Sequence, residues 1–73
     1  MATTNVEAIV TGKVWKIEKQ EGDSVVAGEA IMVLESMKME IPVEAPVAGR
    51  VGRLSVAEGD SVTEGDVVAV VTP

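Results

Sequence analysis

Lys38 lies between two methionines in the run Glu35, Ser36, Met37, Lys38, Met39, Glu40. A lysine amine can attack a carbonyl as a nucleophile or accept an acyl group as an amide, and its surroundings decide between the two. A nucleophilic amine needs burial or a neighbouring cation to shed its proton. A lysine flanked by Glu35 and Glu40 has neither. The chain also has no His and no Cys among its 73 residues, so no imidazole acid–base partner, thiolate nucleophile or thiolate metal site is available. An enzyme acting alone is therefore not expected, and Lys38 is better suited to modification by another protein. Glu21 to Asp23 and Glu58 to Asp60 are acidic clusters that could offer donor atoms. They are read as solvated turns, not as a cation site.

The elements that position Lys38 follow from an internal repeat. Shifting the chain by 37 positions aligns Val6 to Leu34 with Val43 to Val71 without a gap, giving 13 identities in 29 positions. The segment from Glu21 to Val25 recurs unchanged from Glu58 to Val62. Shared turn residues alone would not match the apolar positions between the turns. Lys38 thus falls at the junction of two equivalent halves, residues 6–34 and 43–71, within one domain spanning residues 1–73.

Each half reads as short strands punctuated by Gly and acidic turns: Val14 to Lys19, Ser24 to Val26 and Ala30 to Leu34 in the first, with counterparts in the second. No segment sustains helical spacing over ten residues. A tight hairpin with Met37 and Lys38 at its centre would set Leu34 opposite Ile41, Met32 opposite Val43 and Ala30 opposite Ala45. It would also place Glu35 opposite Glu40 on the outer face. The first and last strands should pair as the severed equivalent of this hairpin, leaving the termini opposite Lys38. The expected fold is all-β, a flattened barrel or sandwich of two small antiparallel sheets with pseudo-two-fold symmetry. Its expected core comprises Val10, Val14, Ile17, Val25, Leu34, Ile41, Val47, Val51, Leu54, Val62 and Val70. Gly12 and Gly49 are expected at bends that let Val14 and Ile17 both point inward.

Two-residue hairpins favour Asn and Gly, because both central positions require positive φ. Met37 and Lys38 break that rule at one exposed loop, as functional sites often do. Trp15 aligns with Gly52, so the repeat does not demand it, and it is expected to cover a sheet edge.

Composition narrows the function classes. Twelve acidic and six basic residues give a formal net charge of −6, which repels phosphate backbones and argues against a nucleic-acid partner. No apolar run approaches the roughly 18 residues of a membrane span, and residues 1–10 do not form a basic region followed by a long apolar stretch. A soluble, cytoplasmic protein is expected.

The Met-Lys-Met centre of ESMKME, set between repeated halves with paired Glu-Gly-Asp turns, resembles the attachment site of the biotinyl and lipoyl domain family. The resemblance covers nearly the whole chain and is greatest to small biotin carboxyl carrier proteins of acyl-CoA carboxylases. Lipoyl domains share the scaffold but typically carry Asp-Lys-Ala at the tip. In the first half, Ala8 to Gly12 departs from the Pro-Met-Pro-Gly or Pro-Met-Ala-Gly run of many relatives.

The resemblance implies a non-catalytic carrier with biotin joined covalently to Lys38 by a biotin protein ligase. It implies transfer of a carboxyl group from a biotin carboxylase to a carboxyltransferase, commonly toward an acyl-CoA in fatty acid biosynthesis. Met37 and Met39 would then be recognition residues flanking the attachment point. Glu35, Ser36 and Glu40 are further recognition candidates, the two glutamates because like charges are set directly across a hairpin. A lipoyl carrier and an unmodified interaction module of the same fold are the alternatives.

Overall fold

A computed structural model describes residues 2–73; Met1, the first residue of the expected 1–73 domain, lies outside the described residues. Eight strands follow one another: β1 (Thr4–Glu7), β2 (Gly12–Ile17), β3 (Ser24–Val25), β4 (Ala30–Ser36), β5 (Met39–Glu44), β6 (Gly49–Leu54), β7 (Ser61–Val62) and β8 (Val67–Thr72). Val and Ile dominate the strands because branched side chains pack well on a pleated surface. The strands form two four-stranded antiparallel sheets, ordered β1-β8-β6-β3 and β5-β4-β2-β7. A shift of 37 residues maps each sheet onto the other. The observed strands start or stop up to two residues from the expected ones, because Gly12, Lys13, Glu35 and Ser36 also pair.

The two halves interlock instead of stacking as separate units. β3 of the first half pairs with β6 of the second, and β7 of the second pairs with β2 of the first. The repeated acidic turns make these crossings. Gly22 N–H donates to Val51 O at 2.7 Å and Val51 N–H to Asp23 O at 2.9 Å; in the other half, Gly59 N–H donates to Val14 O and Val14 N–H to Asp60 O, both at 2.8 Å. Gly22 and Gly59 both have φ of 93°, a left-handed conformation that favours glycine.

The acidic side chains at these turns are not simply solvated, contrary to expectation. Asp23 accepts from Gln20 N–H at 2.8 Å and Asp60 from Ala57 N–H at 2.9 Å, closing each turn. Glu21 accepts from Leu54 N–H at 2.9 Å and Glu58 from Ile17 N–H at 3.0 Å, so each glutamate satisfies a strand amide of the opposite half. These contacts explain why Glu-Gly-Asp repeats unchanged. No group of three or more potential metal-ligating side chains occurs among the described residues.

The spacing of Val14 and Ile17 is resolved by a bulge. Val14 pairs with Leu34 and Lys16 with Val33, leaving Trp15 extra; Gly52 is the extra residue between Val51 and Arg53 in the other half. The inserted residue resets the two-residue alternation. Gly12 and Gly49 have a different job from the expected bends. A Cβ on Gly12 would collide with the Glu35 carbonyl, and one on Gly49 with the Thr72 carbonyl.

A second pair of bulges corrects the expected hairpin register. Leu34 faces Ile41, Met32 faces Val43 and Glu35 faces Glu40 as read from sequence, but Ala30 faces Glu44 instead of Ala45. Ile31 is inserted between them, and Val68 is its counterpart opposite β1. Both bulges turn two consecutive residues inward: Ile31 with Met32, and Val68 with Ala69.

The core is wholly apolar and also contains Val6, Ala8, Val14, Val25, Leu34, Val43, Ala45, Val51, Val62 and Val71. Val10, Ile17 and Leu54 are only partly buried, as are Ile41 and Val70. Val47 is exposed, contrary to expectation, because Ala45 supplies the buried residue of that linking segment. Burying a Val, Leu or Ile side chain is worth about 1.5–3 kcal/mol, so this compact set offsets the chain entropy of a small domain.

β1 pairs antiparallel with β8, Thr4 opposite Val71, so the two ends of the chain lie together as expected. β5 leads away from the Lys38 hairpin, and Gly49 at the start of β6 lies against Thr72. In a body with extents of 36 × 17 × 17 Å, this route carries the termini away from Lys38.

Of the two ion pairs found among the described residues, both in the first half, the shorter has a further hydrogen bond. Lys19 Nζ lies 3.0 Å from Glu29, which also accepts from Val26 N–H at 3.0 Å. The hydrogen bond from Lys19, followed by that from Val26, holds the Glu29 carboxyl below its ordinary value. A depressed carboxylate stabilises the fold above the ordinary glutamate range of about 4.3, and the contribution is lost as pH falls through the folded value. Glu29→Gln should therefore flatten the acid limb of a urea-midpoint profile measured from pH 6 down to 3. An unchanged acid limb would show that the pair contributes nothing.

Candidate functional site

The site is the tip of the β4–β5 hairpin. Ser36 pairs with Met39, leaving Met37 and Lys38 as the two residues of the turn. Their φ values of 50° and 65° are both positive, the pattern of a type I′ turn that matches the twist of adjoining strands. Neither residue type adopts it readily, at a cost of about 1–2 kcal/mol per residue. Met37→Asn should therefore raise urea-unfolding stability by about 0.5–1 kcal/mol, since Asn tolerates this region better. A lower midpoint would show that Met37 packing outweighs its backbone strain.

The base of the tip is clamped from the side. Ser36 Oγ donates to Thr11 O at 2.9 Å, and Thr11 Oγ1 accepts from Glu64 N–H at 3.0 Å. Gly12 brings β2 directly against the Glu35 carbonyl. The register leaves no freedom to slip, because a one-residue shift would turn Leu34 and Val43 out of the core. Thr11 was not among the residues singled out from sequence. Its alignment with Ala48 in the otherwise similar second half was the available signal.

The tip presents a dense set of exposed groups. Met37 is 93% exposed and Met39 63%, and Lys38 is exposed between them. Glu35 and Glu40 are exposed and directly opposed, with Lys13 facing Glu35 on the other side. Ser36 is half-buried and engaged with Thr11. The structure thus brings all six sequence-identified residues, Glu35, Ser36, Met37, Lys38, Met39 and Glu40, to one end of one hairpin. The ion pairs found among the described residues, Lys16 with Glu18 and Lys19 with Glu29, lie elsewhere.

This arrangement suits covalent attachment of a cofactor to an amine. The lysine is accessible to a modifying active site, its backbone is fixed, and no enclosing pocket surrounds it. A groove of about 500 Å³ on the flank, lined by Ile9, Gly28, Ile41, Pro42, Glu44, Ala45 and Pro46, is open and does not include Lys38.

Trp15 is half exposed at the bulge in β2, just past Gly12 and Lys13, where the pairing of β2 with β7 ends. β5 and β1 are edge strands.

Comparisons with known proteins agree with this geometry. The family model described as "Biotin-requiring enzyme", the biotin/lipoyl family, matches residues 2–71. The Biotin/lipoyl attachment protein of Bacillus subtilis is 44% identical over 34 residues, which are 47% of this chain and 47% of that protein. Biotinylated protein TB7.3 of Mycobacterium tuberculosis is 44% identical over 39 residues, 53% of this chain and 55% of that protein. The chain therefore spans about half the length of the curated relatives it matches. Among solved structures, the urea carboxylase of Kluyveromyces lactis superposes with a TM-score of 0.93 at 35% identity, covering 99% of this chain and 6% of that one. A single-chain, multi-domain long-chain acyl-CoA carboxylase superposes with a TM-score of 0.86 at 35% identity, covering 93% of this chain and 7% of that one. The cofactor these relationships indicate is covalently attached biotin, and domains of this kind carry it without being catalytic themselves. An exposed lysine on a fixed type I′ tip, a sandwich of two interlocked sheets and a family match along nearly the whole chain lead to one conclusion: the chain belongs to the biotin-requiring enzyme family of biotin/lipoyl attachment domains.

Proposed function

We propose that this chain is a biotin carboxyl carrier, with Lys38 the attachment point, acting in the cytoplasm as part of a biotin-dependent carboxylase. The observation that carries the reading is Lys38 itself, exposed at a left-handed two-residue tip between Met37 and Met39. A biotin protein ligase would join the biotin carboxyl group to Lys38 Nζ as an amide, with the cofactor activated beforehand as its adenylate. When bound, biotin supplies reversible carriage of a carboxyl group between a biotin carboxylase and a carboxyltransferase. The chain's own contribution is position. The type I′ turn fixes the root of the arm, the Ser36–Thr11 bond and Gly12 hold the hairpin base, and the paired termini leave the tip unobstructed. A tethered group reaches partner sites at high effective concentration without the chain forming new contacts.

Met37 and Met39 serve as apolar contacts for the ligase and carboxylase active sites, which their exposure permits. Glu35 and Glu40 frame Lys38 for ligase recognition. Reversing both to Lys should lower ligase kcat/KM without changing the unfolding midpoint, and an unchanged kcat/KM would remove them from recognition.

The carboxyl acceptor we favour is an acyl-CoA, a reading supported by the likeness to the long-chain acyl-CoA carboxylase, and with it we propose a role in fatty acid biosynthesis. Urea is a second reading, favoured by the urea carboxylase likeness and by a putative urea carboxylase of Emericella nidulans, 42% identical over 40 residues. The deciding experiment supplies the biotinylated chain with a biotin carboxylase, ATP and labelled bicarbonate, then offers acyl-CoA or urea with the cognate carboxyltransferase. Label on the chain that passes to acyl-CoA supports the first reading, and label that passes only to urea supports the second. Absence of label on the biotinylated chain would overturn the carrier function. Intact mass after co-expression with both ligases distinguishes biotin from lipoate.

A further inference from the structure

The internal symmetry gives each surface feature at the tip a control in the other half. On the outer face of the tip sheet, Val33 is aligned with Lys16 on one side and Pro42 on the other. Trp15 bulges out beside Lys16, half exposed. The counterparts in the other sheet are Val70, aligned with Arg53 and Asn5, with Gly52 as the bulged residue. The row Trp15–Val33–Pro42 thus has the equivalent Gly52–Val70–Asn5. Val is common to both, and both other positions carry an apolar ring only at the Lys38 end. The second half builds its bulge from glycine, so the bulge does not require the indole.

The side-chain direction at this position follows from the same comparison. A Cβ on Gly52 would lie 2.8 Å from Cγ2 of Thr72. Thr72 faces Arg50 as Glu35 faces Lys13. A side chain at position 15 therefore emerges on the outer face beside Glu35.

We propose that Trp15, Val33 and Pro42 form a resting platform for the ureido bicycle of the biotin carried on Lys38. This inference rests on the reading that Lys38 is the attachment point. The row lies three residues below the Ser36–Met39 pair, about 10 Å at the usual rise per strand residue. A lysine side chain extended by the five-carbon acyl chain of biotin spans that distance. The bicycle is uncharged, with a thioether ring suited to an indole face and a proline edge and a urea group that both donates and accepts hydrogen bonds. Glu35 and Glu40 border the row as acceptors, and Lys13 and Lys16 as donors. The platform is open, so Trp15 can hold the ring out of water between visits to partner sites and still release it.

Trp15 is the sole tryptophan, so fluorescence reports on this position alone. In the biotinylated chain, the acrylamide quenching constant should fall by about twofold as one ring face is covered, and NMR should show cross-relaxation between indole and bicycle protons. The unbiotinylated Lys38→Gln variant should retain the quenching of the unmodified chain, separating cofactor contact from loss of the lysine charge. Trp15→Gly, which copies the second half, should remain biotinylated and narrow the bicycle resonances. Peptide mapping of the biotin separates the two levels of inference. Biotin located away from Lys38 would overturn the attachment reading and the platform with it. Biotin on Lys38 with unchanged quenching and no indole cross-relaxation would overturn the platform alone.

Discussion

Lys38→Arg is expected to eliminate biotin incorporation while leaving the fold unchanged. Arginine preserves the positive charge and much of the side-chain length, but its delocalised guanidinium does not accept an acyl group as lysine does. The side chain is exposed and outside the core, so its replacement removes no buried contact. Arg also meets the same backbone demand at φ 65°, leaving the turn strain essentially unaltered. Intact mass after co-expression with biotin ligase should show only the unmodified chain, and the thermal midpoint should match that of the parent. Biotin that persisted on Lys13, Lys16 or Lys19 would refute Lys38 as the site. Those lysines make a stringent control, because β2 carries Lys13 and Lys16 close to the same tip.

Gly49→Ala should produce the largest loss of stability among single conservative changes, on the order of 3 kcal/mol, as expected for overpacking against groups that cannot move aside. The added Cβ would meet the backbone carbonyl of Thr72 and lie 3.0 Å from Cγ1 of buried Val71. Relief requires β6 and β8 to separate, and that pair anchors the sheet holding the termini. Gly59→Ala provides the comparison. It meets no atom within 4 Å but must adopt φ 93°, so its cost is conformational strain, about 1–2 kcal/mol. Urea denaturation of the two variants checks the order. A smaller loss for Gly49→Ala would mean that the sheet yields easily at this crossing. Gly12→Ala presents the same collision against Glu35 and should in addition disturb the tip.

The same contacts show what could be read from sequence. Pairings such as Leu34 with Ile41 and Glu35 with Glu40 were legible because strand alternation fixes them once the turn is placed between Ser36 and Met39. The pairing of β1 with β8 was legible because the repeat makes it the counterpart of that hairpin. The expectation failed where a bulge intervenes. Ile31 breaks the two-residue alternation, so Ala30 meets Glu44, and the consecutive burial of Ile31 and Met32 cannot be inferred from a period of two. Val47 was misplaced because its apolar character does not reveal that Ala45 takes the inward position.

The amino-acid sequence by itself determined the two-fold architecture and the six residues around Lys38, because both are written in local pattern: a gapless repeat and a contiguous motif at its junction. The roles of Thr11, Glu21 and Glu58, and the grouping of Trp15 with Val33 and Pro42, were decided only by tertiary structure. Each depends on which strands become neighbours. Glu21 reaches Leu54 and Glu58 reaches Ile17 across 33 and 41 residues, and Ser36 reaches Thr11 across 25. A hydrogen bond over such separations has no local signature, because it forms only after distant strands have come together.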